Sequence, residues 1–274
     1  MSTSKSSSSL IPADPAKVMV IRDVTPNITT LSVPFLRFGH IKVGGRGTLV
    51  KLQTGNVAVF SPVALTPDVK AKVTSMGPIK YIVAPDIEHH IFLSMWAQEY
   101  PEAEVIGMEG LPEKREGDPA TKGTKFAHVF SAKNKLDMHI TPEFDTEFSY
   151  EYFDSHTNKE LVFLHKPSRT MIEADLLFNL PATEQYSKTG MHPNAGILTK
   201  LFAGIMNTKG EMTWQKRFLW YAAAGKDRKS FAESAKRVKQ WDYDRVIPCH
   251  GDVIETGGKA IIDKATAWFT EGKH

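Results

Sequence analysis

Between residues 17 and 60 the apolar positions fall in short runs. Residues 18–21, 28–32, 48–52 and 57–60 are rich in β-branched side chains, and the turns Gly44-Gly45-Arg46-Gly47 and Thr54-Gly55-Asn56 break the sequence among them. This predicts successive strands. The glycine run is too short and wrongly ordered for a phosphate loop. The period then changes. Thr66-Pro67-Asp68 offers an N-cap and a proline at the first helical position, and Met76-Gly77-Pro78 closes that helix. Residues 81–84 predict a strand. Ile91, Phe92, Met95 and Trp96 then share a helical face that stops at Pro101, and residues 104–107 predict another strand. Strands alternating with helices imply a sheet with helices packed on it. Residues 108–135, charged and rich in Gly and Pro, predict a helix remnant and a loop. Residues 138–140, 148–152, 161–164 and 169–174 predict a second β-rich stretch, and 181–211 a long irregular loop. Residues 214–224, 227–241 and 258–269 predict helices, with a short strand at 245–249 before the last.

Three of these strands end in groups that can bind metal. Residues 81–84 run into Pro85-Asp86-Ile87-Glu88-His89-His90, residues 169–174 into Asp175, and residues 245–249 into His250-Gly251-Asp252. A buried strand delivering polar side chains at its C-terminal end is a common way for an α/β fold to build a site. Histidine nitrogen and carboxylate oxygen are the ligands zinc takes when no thiolates are offered. If the three ends lie side by side, His89, His90, Asp175 and His250 meet at one ion. The competing reading makes the two adjacent histidines helix-cap or surface residues.

Composition narrows the class. The chain has 274 residues, 41% hydrophobic and 24% charged, with a net charge of +3. That is an ordinary globular composition, too weakly basic to argue for nucleic acid. The single cysteine, Cys249, excludes an intrachain disulfide and a thiolate zinc cluster, and fits a cytoplasmic, reducing setting. We read it as a packing residue. No run reaches the ~18 apolar residues of a membrane span, so no membrane partner is expected. Residues 1–15, rich in Ser and Lys, predict a disordered tail before a domain over 16–274.

With these residues in view, the chain resembles the metallo-β-lactamase superfamily, in a lactamase-like branch found in fungi and bacteria, over about residues 17–270. The superfamily's His-x-His-x-Asp-His motif is similar to the window 85–90. Its Gly-His-Thr resembles Ser155-His156-Thr157, its Gly-Asp-Leu-Leu-Phe resembles Ala174-Asp175-Leu176-Leu177-Phe178, and its Pro-Gly-His-Gly resembles Pro248-Cys249-His250-Gly251. The resemblance implies an α/β, four-layer αβ/βα sandwich. It also implies two metals, but the places of the first fall on Pro85, Ile87 and His156, and proline and isoleucine have no donor atoms. The places of the second fall on His89, His90, Asp175 and His250.

The expectation is therefore one divalent metal, zinc first with iron or manganese as alternatives, held by three histidines and one aspartate. It would activate a water for hydrolysis of a small cyclic amide or ester, a lactam or lactone. Four protein ligands can close a tetrahedral zinc, so catalysis would need five-coordination or one long ligand. His156 is assigned proton transfer to the leaving group. Asp86 and Glu88, beside the vacated site, are read as proton acceptors, outer ligands or merely solvated acids. Glu160 is expected to orient a ligand histidine and His165 to do outer or structural work, while Tyr186 and His192 are candidates to line substrate. The alternatives are a non-catalytic binding protein on the same fold, or a mononuclear iron enzyme. The partner expected is a small-molecule substrate; oligomeric state is left open.

Overall fold

The computed structural model describes residues 11–225 and 227–272. A short helix α1 (Pro15–Val18) leads into strands β1 (Val20–Thr25) and β2 (Ile28–Val33). A small hairpin, β3 (Leu36–Arg37) and β4 (Ile41–Lys42), precedes β5 (Gly45–Lys51) and β6 (Val57–Phe60). Helix α2 (Pro67–Met76), β7 (Ile79–Val83), α3 (Leu93–Glu99), β8 (Glu104–Met108), α4 (Leu111–Glu116) and β9 (His128–Phe130) complete the first half. Seven of its nine strands form one sheet in the order β1-β2-β5-β6-β7-β8-β9, antiparallel as far as β6 and parallel from β6 to β9, while β3 and β4 pair with each other.

The second half opens with α5 (Pro142–Glu147), then β10 (Phe148–Phe153), β11 (Glu160–His165) and β12 (Thr170–Glu173). Helices α6 (Thr183–Tyr186), α7 (Ile197–Ile205) and α8 (Thr213–Phe218), a π-helical turn at Leu219–Ala223, and α9 (Arg228–Lys239) follow. Strand β13 (Arg245–Pro248) and α10 (Gly258–Thr270) end the chain. The second sheet has the order β10-β11-β12-β13, with β12 and β13 parallel.

Alternation along β11 explains the layers. Leu161 and Phe163 join the cluster holding Val59, Phe60 and Val83 of the first sheet. Val162 and Leu164 join Leu219, Phe231, Val238 and Phe269 of the C-terminal helices. Successive side chains point to opposite faces of a strand, so a strand covered on both faces is apolar throughout. Phe60 and Phe163 meet edge to face across the sandwich, with ring centroids 4.9 Å apart. Val69, Val73, Leu93 and Trp96 cover the outer face of the first sheet. The result is the four-layer αβ/βα sandwich the sequence predicts.

Local signals were accurate where the chemistry is short-range. Thr66 caps α2, its Oγ1 accepting from the Val69 N–H at 3.3 Å, and Gly77 at φ 145° ends it. Elsewhere the structure corrects the reading. Residues 138–140, expected as a strand, lie outside the named elements, because Thr141 and Pro142 start α5 immediately after them. The span 108–135 contains β9, which pairs with β8. The span 181–211 is partly helical, with α6 and α7. Residues 1–10 of the expected tail lie outside the described residues, whereas Ile11 lies against the main cavity.

Candidate metal centre

Strand ends from both sheets build the site. Strand β7 runs through Ala84 and Pro85 into a tight turn centred on Asp86. This side chain is fully buried, and its Oδ1 accepts from the backbone N–H groups of Glu88 and His89 at 2.8 and 2.7 Å and from His89 Nδ1 at 2.8 Å. A carboxylate can only accept, so the proton of His89 sits on Nδ1 and Nε2 faces outward. Strands β12 and β13, being parallel, deliver Asp175 and His250 at the same end of their sheet. His250 Nδ1 donates to the Gly44 carbonyl at 2.6 Å, which fixes its tautomer in the same way.

The consequence is a tight triangle. His89 Nε2 lies 3.2 Å from His250 Nε2, and His250 Nε2 lies 3.3 Å from Asp175 Oδ1. All three ligand atoms fall within 4.8 Å of one another. A tetrahedral zinc with bonds near 2.0–2.1 Å places its ligand atoms about 3.3 Å apart, so the donor set fits a divalent cation. Asp175 Oδ1 is buried without a hydrogen-bond partner among the described residues, while Oδ2 accepts from Asn158 Nδ2 at 2.6 Å. One oxygen is held and the other remains available as a candidate ligand atom.

The surrounding field is negative. Burial disfavours the His89 cation, but Asp86, then Asp175 and Glu173, outweigh it and raise its pKa to about 9, so without an ion the outward Nε2 also holds a proton, directed at His250 Nε2, which a cation bound there would displace. Burial likewise opposes the Asp175 charge; the His250 contact, His89 and Arg37 overcome it and hold this carboxyl below its usual range. Glu160 and Glu173 are buried as well, and burial with the neighbouring carboxylates pushes both well up.

Of the four expected ligands, His90 stands apart. Arg115 Nη1 donates to His90 Nδ1 at 2.9 Å. Arginine cannot accept, so this nitrogen is unprotonated and the neutral ring carries its proton on Nε2. Neither nitrogen then offers a free lone pair. Burial, followed by Lys114 and Arg115, lowers its pKa to about 4, which keeps it neutral. Of the expected three-His, one-Asp set, the structure brings together His89, Asp175 and His250 as a candidate donor group, and His90 is not part of it.

The expected helpers are also redistributed. His156 is buried, its Nδ1 accepts from the Asn158 N–H at 3.1 Å, and it is not among the residues lining the cavity, so its position lends no support to proton transfer. Asp86 orients His89 instead of facing substrate. Glu88 lines the cavity but is largely solvated and pairs with Lys114 at 2.9 Å. Glu160 accepts from the N–H groups of Ala174 and Asp175 at 2.7 and 3.1 Å, so it positions the aspartate turn and not a histidine. His165 binds Ser168 and Glu147, Tyr186 donates to the Phe35 carbonyl, and His192 is exposed; none of the three lines the cavity. Cys249 is buried, and burial pushes its thiol up, consistent with packing.

Two contributors were missed. Arg46, 1% exposed, donates from Nη1 to the carbonyls of Pro248 and Gly251 at 2.5 and 2.7 Å and so clamps the turn carrying His250. That turn also needs Gly251, at φ 90°, where a Cβ would lie 2.1 Å from the Asn179 carbonyl oxygen. Asn158 both holds Asp175 and lines the cavity. An arginine in a glycine-rich turn gives no local sign of a partner two hundred residues away. Asn158, next to the His156-Thr157 motif, could have been flagged by that proximity. The cavity has a volume of about 530 Å³, and Phe35, Phe38, Val63 and Phe92 give it an apolar wall beside the three candidate ligands.

No curated protein matches the sequence. Among solved structures, the chain is similar to a metallo-β-lactamase from Pontibacter korlensis, with 12% identity, TM-score 0.56, and coverage of 92% of this chain and 98% of that one. It is similar to a flavoprotein from Thermotoga maritima, with 12% identity, TM-score 0.60, and coverage of 92% and 61%. It is also similar to a flavodiiron core from Synechocystis, with 11% identity, TM-score 0.60, and coverage of 94% and 62%. The chain thus spans about three fifths of the last two. These likenesses establish the metallo-β-lactamase fold. A family model described as a domain of unknown function, DUF4336, matches residues 36–198, more than half of the sequence, and the chain belongs to that family.

Proposed function

We propose that this protein is a metal-dependent hydrolase of a small cyclic amide or ester, with one divalent cation held by His89, Asp175 and His250. The observation that carries the reading is the triangle of two outward Nε2 atoms and one orphaned carboxylate oxygen, each locked from behind by Asp86, Gly44 or Asn158. A divalent cation bound there supplies Lewis acidity, polarising a carbonyl and acidifying a water. Asn158 commits one amide N–H to Asp175 and keeps a second for an oxygen that gains negative charge. The phenylalanine-lined wall excludes water from the bound ring and favours an apolar substrate.

The test is elemental analysis of gently purified protein, with turnover of a chromogenic lactam, a lactone and a thioester. One equivalent of metal and hydrolysis of at least one class are expected, with both lost in Asp175→Asn. Metal content far below one equivalent would remove the basis of the reading.

A mononuclear iron enzyme is the second reading. Two histidines and one carboxylate with open positions form the donor set of non-haem iron oxygenases, and one structural neighbour is named as a flavodiiron core. Iron in the elemental analysis, with a visible absorption band and no hydrolysis, would favour it. A filled site with neither chemistry would point to a binding protein.

A further inference from the structure

Helix α7 turns a contiguous apolar face outward. Ile197 is 79% exposed, Leu201 63%, Leu198 56% and Ile205 37%, and at 100° per residue these four cover one arc of the helix. The opposite face is satisfied: Thr199 and Ala203 are buried, and Phe202 meets Phe178 edge to face. The helix leans on the β3–β4 hairpin, where the Lys42 N–H donates to Thr199 Oγ1 at 3.2 Å and Lys42 Nζ to the Ala195 carbonyl at 2.8 Å. At the tip of that hairpin Phe38 is 74% exposed, and Arg37 and Phe38 also line the mouth of the cavity. Soluble monomers rarely expose apolar area in one contiguous face.

Along the chain, the segments that carry this face are basic and are bounded by Glu184 and the exposed Glu211. The sequence has no Asp or Glu between Val24 and Pro67, or between Gln185 and Gly210, whereas Arg37, Lys42, Lys188, Lys200 and Lys209 fall in those stretches. Lys200 flanks the apolar arc, and neither it nor Lys209 has an ion-pair partner among the described residues. A two-fold dimer through this face would bring both copies of Lys200 into one interface without an acid from these segments to pair them, and unpaired like charges there are unfavourable. An amphipathic helix with exposed aliphatic side chains, a flanking lysine and an aromatic residue beside it matches the chemistry of an anionic lipid surface.

We propose that α7 and the β3–β4 hairpin form a docking face for an anionic phospholipid bilayer, lying on it without crossing it and holding the cavity mouth at the interface. The expectation of no membrane partner rested on the lack of a span, which does not bear on surface docking. The proposal is independent of the chemistry at the metal centre.

Co-sedimentation of the full chain with vesicles tests it, using phosphatidylcholine alone and phosphatidylcholine mixed with phosphatidylglycerol. Binding to the mixed vesicles is expected, weakening with salt and unchanged by a chelator. Lys200→Gln should lower the binding constant about fivefold, the effect of one lost charge near the surface. Leu201→Glu should lower it about tenfold or more. Both side chains are exposed, so unchanged urea midpoints are expected and would show that the variants are folded. Absence of wild-type pelleting would overturn the proposal, as would full binding by folded Leu201→Glu. A lipid-free dimer that Leu201→Glu dissociates would also overturn it, assigning the face to a second copy of the chain.

Discussion

Asp86 and His89 are joined at 2.8 Å through Oδ1 and Nδ1. The same carboxylate oxygen caps the turn that carries the histidine, accepting two backbone N–H groups. One side chain therefore sets both the course of the loop and which nitrogen of this candidate ligand is turned outward. Asp86→Asn keeps the size of the side chain but reduces its charge and acceptor strength. We predict a fall in metal affinity of about 10–100-fold, the usual cost of losing a partner behind a ligand. Competition against a chelator of known affinity measures it; unchanged affinity would show that the carboxylate does not support the site.

The two adjacent histidines should behave differently. His89→Ala removes a donor and should lower metal affinity by more than about 100-fold. His90→Ala removes an acceptor of Arg115 and should leave affinity within about tenfold, while lowering the unfolding midpoint. Titration of both variants with Zn²⁺ and urea decides; equal loss of metal would restore His90 as a ligand.

Arg46 is buried between the two sheets, and replacing it by Leu strands the carbonyls of Pro248 and Gly251. Removing one partner of a buried charged network costs about 3–5 kcal/mol. Arg46→Leu should show that loss in urea unfolding and bind metal more weakly, because the His250 turn is released. A stability within about 1 kcal/mol of wild type would contradict the clamp.

Glu143 offers a pH signature far from the site. Lys80, Thr54, Asn56 and Tyr81 donate to its carboxylate. Burial opposes the charge, these donors outweigh it, and the pKa falls to about 2 from 4.5. Since the folded value lies below the unfolded one, the stabilisation is complete above pH 4.5 and fades as pH falls towards 2. Glu143→Gln should therefore be less stable than wild type at neutral pH, by about 1.5–3 kcal/mol for lost bonds to a charged group. The gap should narrow below pH 4.5. A gap independent of pH, followed by urea midpoints across that range, would show that the charge is not the source.

The sequence by itself determined the layers. Strand and helix periods are local, and burial on both faces writes itself into runs such as residues 161–164 as continuous apolar character. It also singled out His89, Asp175 and His250, the candidate ligands that the structure brings together, because each follows an apolar run and carries an imidazole or a carboxylate. Spacing along the chain could not say which neighbour each ring would meet. His90 has the same chemistry as His89 and differs by one position, yet Arg115, twenty-five residues on, takes its Nδ1, while Asp86 frees the Nε2 of His89. The clamp of Arg46 on residues 248–251 and the outward face of α7 depend in the same way on long-range packing. A lone pair becomes a ligand, and an apolar face becomes a surface, only once the other partners of each group are fixed in three dimensions.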